Sequence, residues 1–243
     1  MTEKKKEVAS WKAALAADAE KTALAERPVS TFISLKGGVM AINDDIIPGN
    51  MLECVIVANA HERTYYDRPY DADDDGPPAC FAQAIDGQDL VPHSNVPEPV
   101  SSACKGCPKA EFGTALQGKG PACKTRRKMV VMPVSVLADP TKIGEAELAT
   151  LAAPPTSVKN FSQYANKVAS SAGLPPWAVK TMISVAPHPK KQFEVSFATT
   201  GPVVDEDCLA GIHGRIQEAE GLLLNPYTYD NDPKPEVKES SKY

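Results

Sequence analysis

Along most of the chain, apolar residues recur in two rhythms, and each rhythm implies an element. Over residues 4–26, Val8, Trp11, Leu15 and Ala19 return at steps of three and four among alanines and charges, and Pro28 stops the pattern. This spacing predicts a helix docked by its Trp11 side. Two short strands are expected next, at 29–35 and 39–42, separated by the turn signal Lys36-Gly37-Gly38. After Pro48-Gly49-Asn50, residues 51–60 are nearly continuous in apolar side chains (Leu52, Val55, Ile56, Val57), as in a strand buried on both faces. Cys54 falls inside this run and reads as a small core residue.

From Tyr65 onward the rhythm is lost. Tyr65-Tyr66-Asp67-Arg68-Pro69-Tyr70 leads into Asp71, Asp73, Asp74, Asp75 and Gly76-Pro77-Pro78, and no period is sustained before Arg126. That is too long for an ordinary loop in a packed domain, so something other than apolar burial must hold it. Regular patterning resumes at 128–137 around Met129-Val130-Val131-Met132, with a further short strand at 147–152. Pro154-Pro155-Thr156-Ser157 then opens a helix: Thr156 or Ser157 is placed to cap it, Val158, Phe161, Tyr164, Ala165 and Val168 form its stripe, and Gly173 followed by Pro175 ends it. Strands at 181–185 and 192–199 follow, the second alternating Phe193, Val195 and Phe197 with Glu194 and Ser196. Asp205 and Glu206 begin a last helix with Leu209, Ile212 and Ile216 on one side.

This order predicts a mainly β fold with α: a five-stranded, oligonucleotide-binding-type Greek-key barrel with its helix between the third and fourth strands, flanking N- and C-terminal helices, and an inserted lobe. A generic α+β sheet gives the same string of elements. The expected units are an N-terminal helix at 1–27, the barrel at 28–222 with its insertion at about 66–126, and a flexible polar tail at 223–243.

The insertion carries its own chemistry. It contains Cys80, then Cys104-Lys105-Gly106-Cys107, then Cys123. A cysteine pair two residues apart reaches one face of a tetrahedral cation, Gly106 permits the tight turn, and the two lone cysteines close the shell. One structural Zn²⁺ per chain on Cys80, Cys104, Cys107 and Cys123 is the expected donor set. A set in which His93 or His61 replaces Cys80 is also open, as are four reduced, unpaired thiols. With four protein ligands no position is left for water, so the metal would not be catalytic.

Composition sharpens this picture. The chain has 243 residues, is 42% hydrophobic and has a formal net charge of −5. No apolar run approaches the roughly 18 residues that span a bilayer, and the Lys-rich start lacks a signal peptide's apolar block. No membrane association is expected, and the expected location is cytoplasmic. Cysteines there are more often metal ligands than disulfides. The charge is unevenly placed: from Cys104 to Lys128 the bases Lys105, Lys109, Lys119, Lys124, Arg126, Arg127 and Lys128 face a single acid, Glu111. A polyanion responds to such a local field and not to the total. Zinc-protease helices, Gly-rich phosphate loops and nucleophile elbows are missing from the sequence. The Asp71–Asp75 run is the one feature suited to a Mg²⁺-dependent nuclease, and it reads more simply as a solvated loop. The chain is therefore expected not to be an enzyme.

Single-stranded nucleic acid requires cations for phosphates and aromatic faces for bases. Lys119, Lys124, Arg126, Arg127 and Lys128, with Lys190 and Lys191 at the last strand turn, are the candidate cations; Tyr65, Tyr66, Tyr70, Phe81 and Phe112 are the candidate aromatics.

The motif string Pro77-Pro78-Ala79-Cys80-Phe81, Asp86-Gly87, Cys104-Lys105-Gly106-Cys107-Pro108, Phe112-Gly113 and Gly118-Lys119-Gly120-Pro121-Ala122-Cys123-Lys124-Thr125-Arg126-Arg127, with Pro155-Thr156-Ser157-Val158-Lys159-Asn160-Phe161 and Tyr164 later, resembles a group of small bacteriophage proteins. The resemblance spans residues 65–201. The architecture also resembles phage single-stranded-DNA-binding replication proteins that carry a zinc lobe inside an oligonucleotide-binding fold. The resemblance implies non-specific binding of single-stranded DNA in phage replication or recombination, with other proteins of those processes as partners. Such proteins usually end in a strongly acidic tail, whereas the segment after Asn225 has Asp230, Asp232, Glu236 and Glu239 against Lys234, Lys238 and Lys242. A zinc-stabilised protein that binds a host or phage protein, such as RNA polymerase or a defence factor, is the other expectation. Oligomeric state is not legible.

Overall fold

The apolar run at 51–60 is the start of the longest strand in the computed structural model, which describes residues 31–43, 45–69, 76–85, 90–116 and 118–229. The expected helix at 4–26, Tyr70 and the acidic run 71–75 lie outside these residues. In chain order the strands are β1 (Thr31–Ser34), β2 (Ala41–Ile42), β3 (Asp45–Ile46), β4 (Met51–Tyr65), β5 (Cys80–Ala84), β6 (Lys124–Pro133), β7 (Ala149–Ala153), β8 (Val179–His188) and β9 (Gln192–Pro202). The helices are α1 (Val158–Ala172), α2 (Glu206–Gly214) and α3 (Ile216–Leu223). No helix among the described residues is long and apolar enough to cross a membrane.

All nine strands form one sheet in the order β3-β2-β1-β7-β6-β4-β8-β9, with β5 added beside β4. Among the described residues, only β1 and β7 run parallel. Strand β4 is the spine. One of its edges lies along β6 from Cys54 to Thr64, and the other is shared, Met51–Val55 pairing with β8 and His61–Tyr65 with β5. The ladder with β6 shifts register between Ile56 and Ala58, leaving Val57 as the extra residue of a bulge. A bulge inverts the side-chain phase and bends the strand. Accordingly Cys54 and Ile56 enter one core, while Val55 and Val57 and then Ala58 and Ala60 enter the other.

The two cores lie on opposite faces, as the apolar character of 51–60 and 129–132 requires. In the first, α1 lays Phe161, Tyr164 and Val168 over Ile33, Ile56, Met129, Leu151, Ile183 and Val195. The Tyr164 hydroxyl meets the Thr181 hydroxyl inside this core, so the buried phenol is hydrogen-bonded. In the second, α2 and α3 bring Cys208, Ile212, Ala219 and Leu223 against Val55, Val130 and Met132.

Several expected boundaries move. Ser157 stands just before α1 but does not cap it; its Oγ accepts the Val195 N–H at 2.9 Å, and Asn160 donates to the Val195 carbonyl at 2.8 Å, so both side chains fasten the helix to β9. Gly173 ends α1 in the left-handed conformation, φ +65°, as its sequence position implies. Strand β6 starts and stops four residues earlier than the expected 128–137, because Pro133 cannot continue the ladder. The final helix is broken at Arg215, whose guanidinium leaves the helix to bind the Ile143 and Ala146 carbonyls. Strand β5 was not expected. The sheet has nine strands where five were expected, and among the described residues β7 pairs with β1 and not with β9.

Gly37 and Gly38 form the turn between β1 and β2 at φ +67° and +80°. A Cβ on Gly37 would meet nothing, whereas one on Gly38 would lie 3.1 Å from Cβ of Phe193 on β9. Gly37→Ala is expected to cost about 1 kcal/mol for the left-handed backbone. Gly38→Ala should cost roughly 1–3 kcal/mol more for overpacking against β9. Urea unfolding of the two variants measures the difference.

Candidate functional site

The far half of β4 builds the site. Past the bulge, its even-numbered residues Glu62 and Thr64 are buried on one face and His61, Arg63 and Tyr65 point to the other. Strand β5 pairs Cys80 with Tyr65 and Ala82 with Arg63, which puts Cys80 on the Arg63 face. Three loop contacts bring the other cysteines there. The Cys104 N–H binds the Leu90 carbonyl at 2.9 Å; Gly106, φ +77°, turns the chain so that the Cys107 N–H approaches the Cys104 carbonyl at 3.5 Å; and the Cys123 N–H binds the Lys109 carbonyl at 2.8 Å.

Cys80, Cys104, Cys107 and Cys123 thus line one small pocket, together with Arg63, Tyr65 and Lys109. Its volume is about 20 Å³, room for one water-sized sphere or one small ion. None of the six cysteines forms a disulfide. Burial pushes the Cys80, Cys104 and Cys123 thiols up, Cys123 to about 11, and the neighbouring sulfurs push the same way; the Arg63 charge pulls Cys104 and Cys123 back down. Among the described residues, no group of three or more His, Cys, Asp or Glu side chains meets the spacing of a metal centre. The donor chemistry nevertheless suits zinc: four sulfurs of the kind that prefer a soft divalent ion, and no carboxylate among the lining residues. Neither histidine considered as a replacement lines the pocket. His93 is instead stacked on Phe81 at 4.8 Å and accepts the Asn95 N–H through Nδ1.

The basic run does not leave the lobe as one surface. It is the first half of β6, so its side chains alternate between faces. Arg127 is buried on the α1 side, over the Phe161 ring at 5.3 Å, with Nη1 3.4 Å from Asn59 Oδ1, and burial lowers its pKa. Lys128 faces the other way, donating to the Leu223 carbonyl at the end of α3 and lying 3.6 Å from Glu62. Lys124 donates to the Pro121 carbonyl at 2.7 Å, and Arg126 is half-buried opposite Glu62. Lys119 and Lys105 are exposed in the lobe. Lys190 is exposed at the β8–β9 turn, and Lys191 pairs with Glu194 at 2.8 Å.

The aromatics divide similarly. Phe112 is 85% exposed in the lobe. Tyr65 carries Lys109 over its ring at 5.0 Å, and Tyr66 carries Arg68 at 5.4 Å. Phe81 is buried, enclosed by His93, Tyr227 and Tyr229. Residues 223–229 are therefore not tail-like: Leu223 is buried, the Tyr227 hydroxyl donates to Glu62, and the Tyr229 hydroxyl donates to the Pro78 carbonyl at 2.7 Å. Residues 230–243 lie outside the described ones.

Sequence reasoning missed Arg63, Glu62 and the two tyrosines. Glu62 is buried yet takes part in three contacts, with Gln83 at 3.0 Å, Tyr227 at 3.4 Å and Lys128. A charged residue in a strand is the only local hint of either β4 residue, and nothing local joins Tyr227 to Phe81. No protein-family model, curated protein or solved structure matches the chain.

Two outcomes are expected. Lys128→Ala leaves the buried Glu62 carboxylate without its cation and should destabilise the fold by about 3 kcal/mol, read by chemical denaturation. Burial, with the Glu53 charge adding to it, raises the Cys54 thiol to about 12. The unfolded chain loses this proton near pH 8.5 while the folded one keeps it, so stability falls as pH rises above that value, by up to about 1.4 kcal/mol per pH unit. Unfolding of wild type and Cys54→Ala at pH 7 and pH 10 should show the slope diminished in the variant.

Proposed function

We propose that this chain binds single-stranded DNA non-specifically, as an accessory protein of phage replication or recombination, through a lobe that a structural zinc ion holds on Cys80, Cys104, Cys107 and Cys123. The observation that carries the reading is Phe112, almost fully exposed on a lobe that also exposes Lys105 and Lys119. An apolar ring left in water on a lobe that also exposes cations suits a nucleobase and its phosphates. The lobe packs few apolar residues, and one ion held by the four sulfurs would tie its loops to a fixed point. No position for water remains on such an ion, and the activity is binding, not catalysis.

The fold reading goes with it. Taken alone, β4, β6, β7, β8 and β9 have the order of an oligonucleotide-binding barrel: the first strand pairs with both the second and the fourth, and a helix, α1, lies between the third and fourth. Strand β1 then occupies the edge of β7 where such a barrel would close. Of the cations in β6, Lys124 and Arg126 stay with the contact surface in this reading, whereas Arg127 and Lys128 serve the sheet.

A second reading has one observation in its favour. Leu116, 64% exposed, and Val91, 55% exposed, share the lobe with Phe112, and an apolar group of this kind also suits a host or phage protein.

Fluorescence anisotropy with a labelled single strand should show binding at low salt that weakens steeply as salt rises, since each neutralised phosphate releases counterions. Phe112→Ala should weaken binding by about 5- to 150-fold, the loss of one stacked base, and Lys119→Ala should flatten the salt slope by about 0.7, both with unchanged thermal stability. Absence of binding at low salt sinks the proposal. A partner captured from host lysate after nuclease treatment, by a protein indifferent to added single strands, would establish the second reading instead.

A further inference from the structure

The pocket that gathers the four cysteines also gathers a cation, and its position has a chemical consequence. Arg63 sits on β4 between Ala82 of β5 and Thr125 of β6, that is, between the strand that begins with Cys80 and the strand that follows Cys123. Its Nη1 donates to the Cys104 carbonyl at 2.9 Å, which aims the guanidinium at the cysteine-bearing turn. Its Nε is buried and has no acceptor among the described residues. A buried guanidinium nitrogen is rarely left so, and a metal-bound cysteine sulfur, a better acceptor than a neutral thiol, would satisfy it.

Four thiolates around one divalent ion leave two net negative charges in a small, partly buried pocket. Among the described residues that line it, no carboxylate adds to that charge, and two cations oppose it. One of them, Lys109, has its ammonium over the Tyr65 ring. The other is bound to the ligand loop itself.

We propose that Arg63 is the internal counterion and positioning residue of the four-cysteine centre, holding the Cys104 turn through the carbonyl and offsetting the charge of the metal-bound thiolates. This rests on the zinc reading above. Arginine suits the role because it stays protonated when buried and presents several donors in a fixed fork. The role belongs to the class of outer-shell contacts that set metal affinity without touching the metal.

Two variants of the full chain separate charge from scaffolding. Arg63→Gln keeps an amide donor for the Cys104 carbonyl and removes the charge; Arg63→Lys keeps the charge and removes the fork. Zinc affinity is read by competition with a chromophoric chelator, and the ligand set by the thiolate-to-metal bands after Co²⁺ substitution. Arg63→Gln is expected to bind zinc about 10- to 100-fold more weakly with the Co²⁺ bands of wild type. Arg63→Lys should recover most of that loss. Wild-type affinity in Arg63→Gln overturns the inference, as does Arg63→Lys binding as weakly as Arg63→Gln. Should Arg63→Gln fail to fold by circular dichroism, Arg63→Lys decides alone: affinity within about threefold of wild type supports the role, and a loss of tenfold or more overturns it. A wild-type chain that binds neither Zn²⁺ nor Co²⁺ overturns the four-cysteine reading itself, and the inference with it.

Discussion

The pairing of β4 with β6 runs from Cys54 opposite Pro133 to Thr64 opposite Lys124, and it serves two ends of the molecule at once. Near its start it is the middle of the sheet, with a core on each face. Near its finish it is the root of the lobe, because the chain leaves β4 at Tyr65 and returns into β6 at Lys124. A long insertion costs little chain entropy when its two ends are already fixed side by side. The lobe therefore inherits its base from the sheet and needs its own stabilisation only farther out, where the cysteines are.

The bulge at Val57 decides which chemistry goes to which face. Without the extra residue, the phase of β4 would send Glu62 toward the cysteines and Arg63 toward Lys128. With it, a cation faces four thiols and a carboxylate faces Lys128, Gln83 and Tyr227. One backbone irregularity thus separates two groups of opposite electrostatic need that are adjacent in the chain. The same alternation in β6 divides a run of four basic residues in five positions: Arg127 goes to the α1 face, while Lys124, Arg126 and Lys128 share the other, where Glu62 and the Leu223 carbonyl engage Lys128 and the Pro121 carbonyl engages Lys124.

Elements whose own apolar pattern matches the faces they bury were readable from the residues. Residues 51–60 and 129–132 are apolar on both faces because both faces are covered, and α1 shows its stripe and its Gly173 stop locally. Strand β5 was not readable, since Cys80-Phe81-Ala82-Gln83-Ala84 has no β-branched residue and exists as a strand only beside the end of β4. The start of β6 was hidden for a related reason: a strand that opens Lys-Thr-Arg-Arg-Lys looks like a solvated loop until Glu62 and the α3 carbonyl are placed against it. The cysteine spacing pointed to Cys104 and Cys107 as a unit. That Cys80 joins them depended on a pairing that spacing does not encode, and Arg63 could be found only from the same pairing.

Strand β5 is thin enough that its two faces are, in effect, one mechanical part. Cys80 looks toward the thiol pocket, and the next residue, Phe81, is gripped from behind by His93, Tyr227 and Tyr229. The last described turn of the chain is therefore a clasp on the back of a ligand-bearing strand. Pulling Tyr227 and Tyr229 away would free Phe81 to rotate out, and Cys80 would swing with it. Proteolytic trimming behind Leu224 would then register as looser thiols on the opposite side of the sheet, a long-range reach achieved by two adjacent side chains that point in opposite directions.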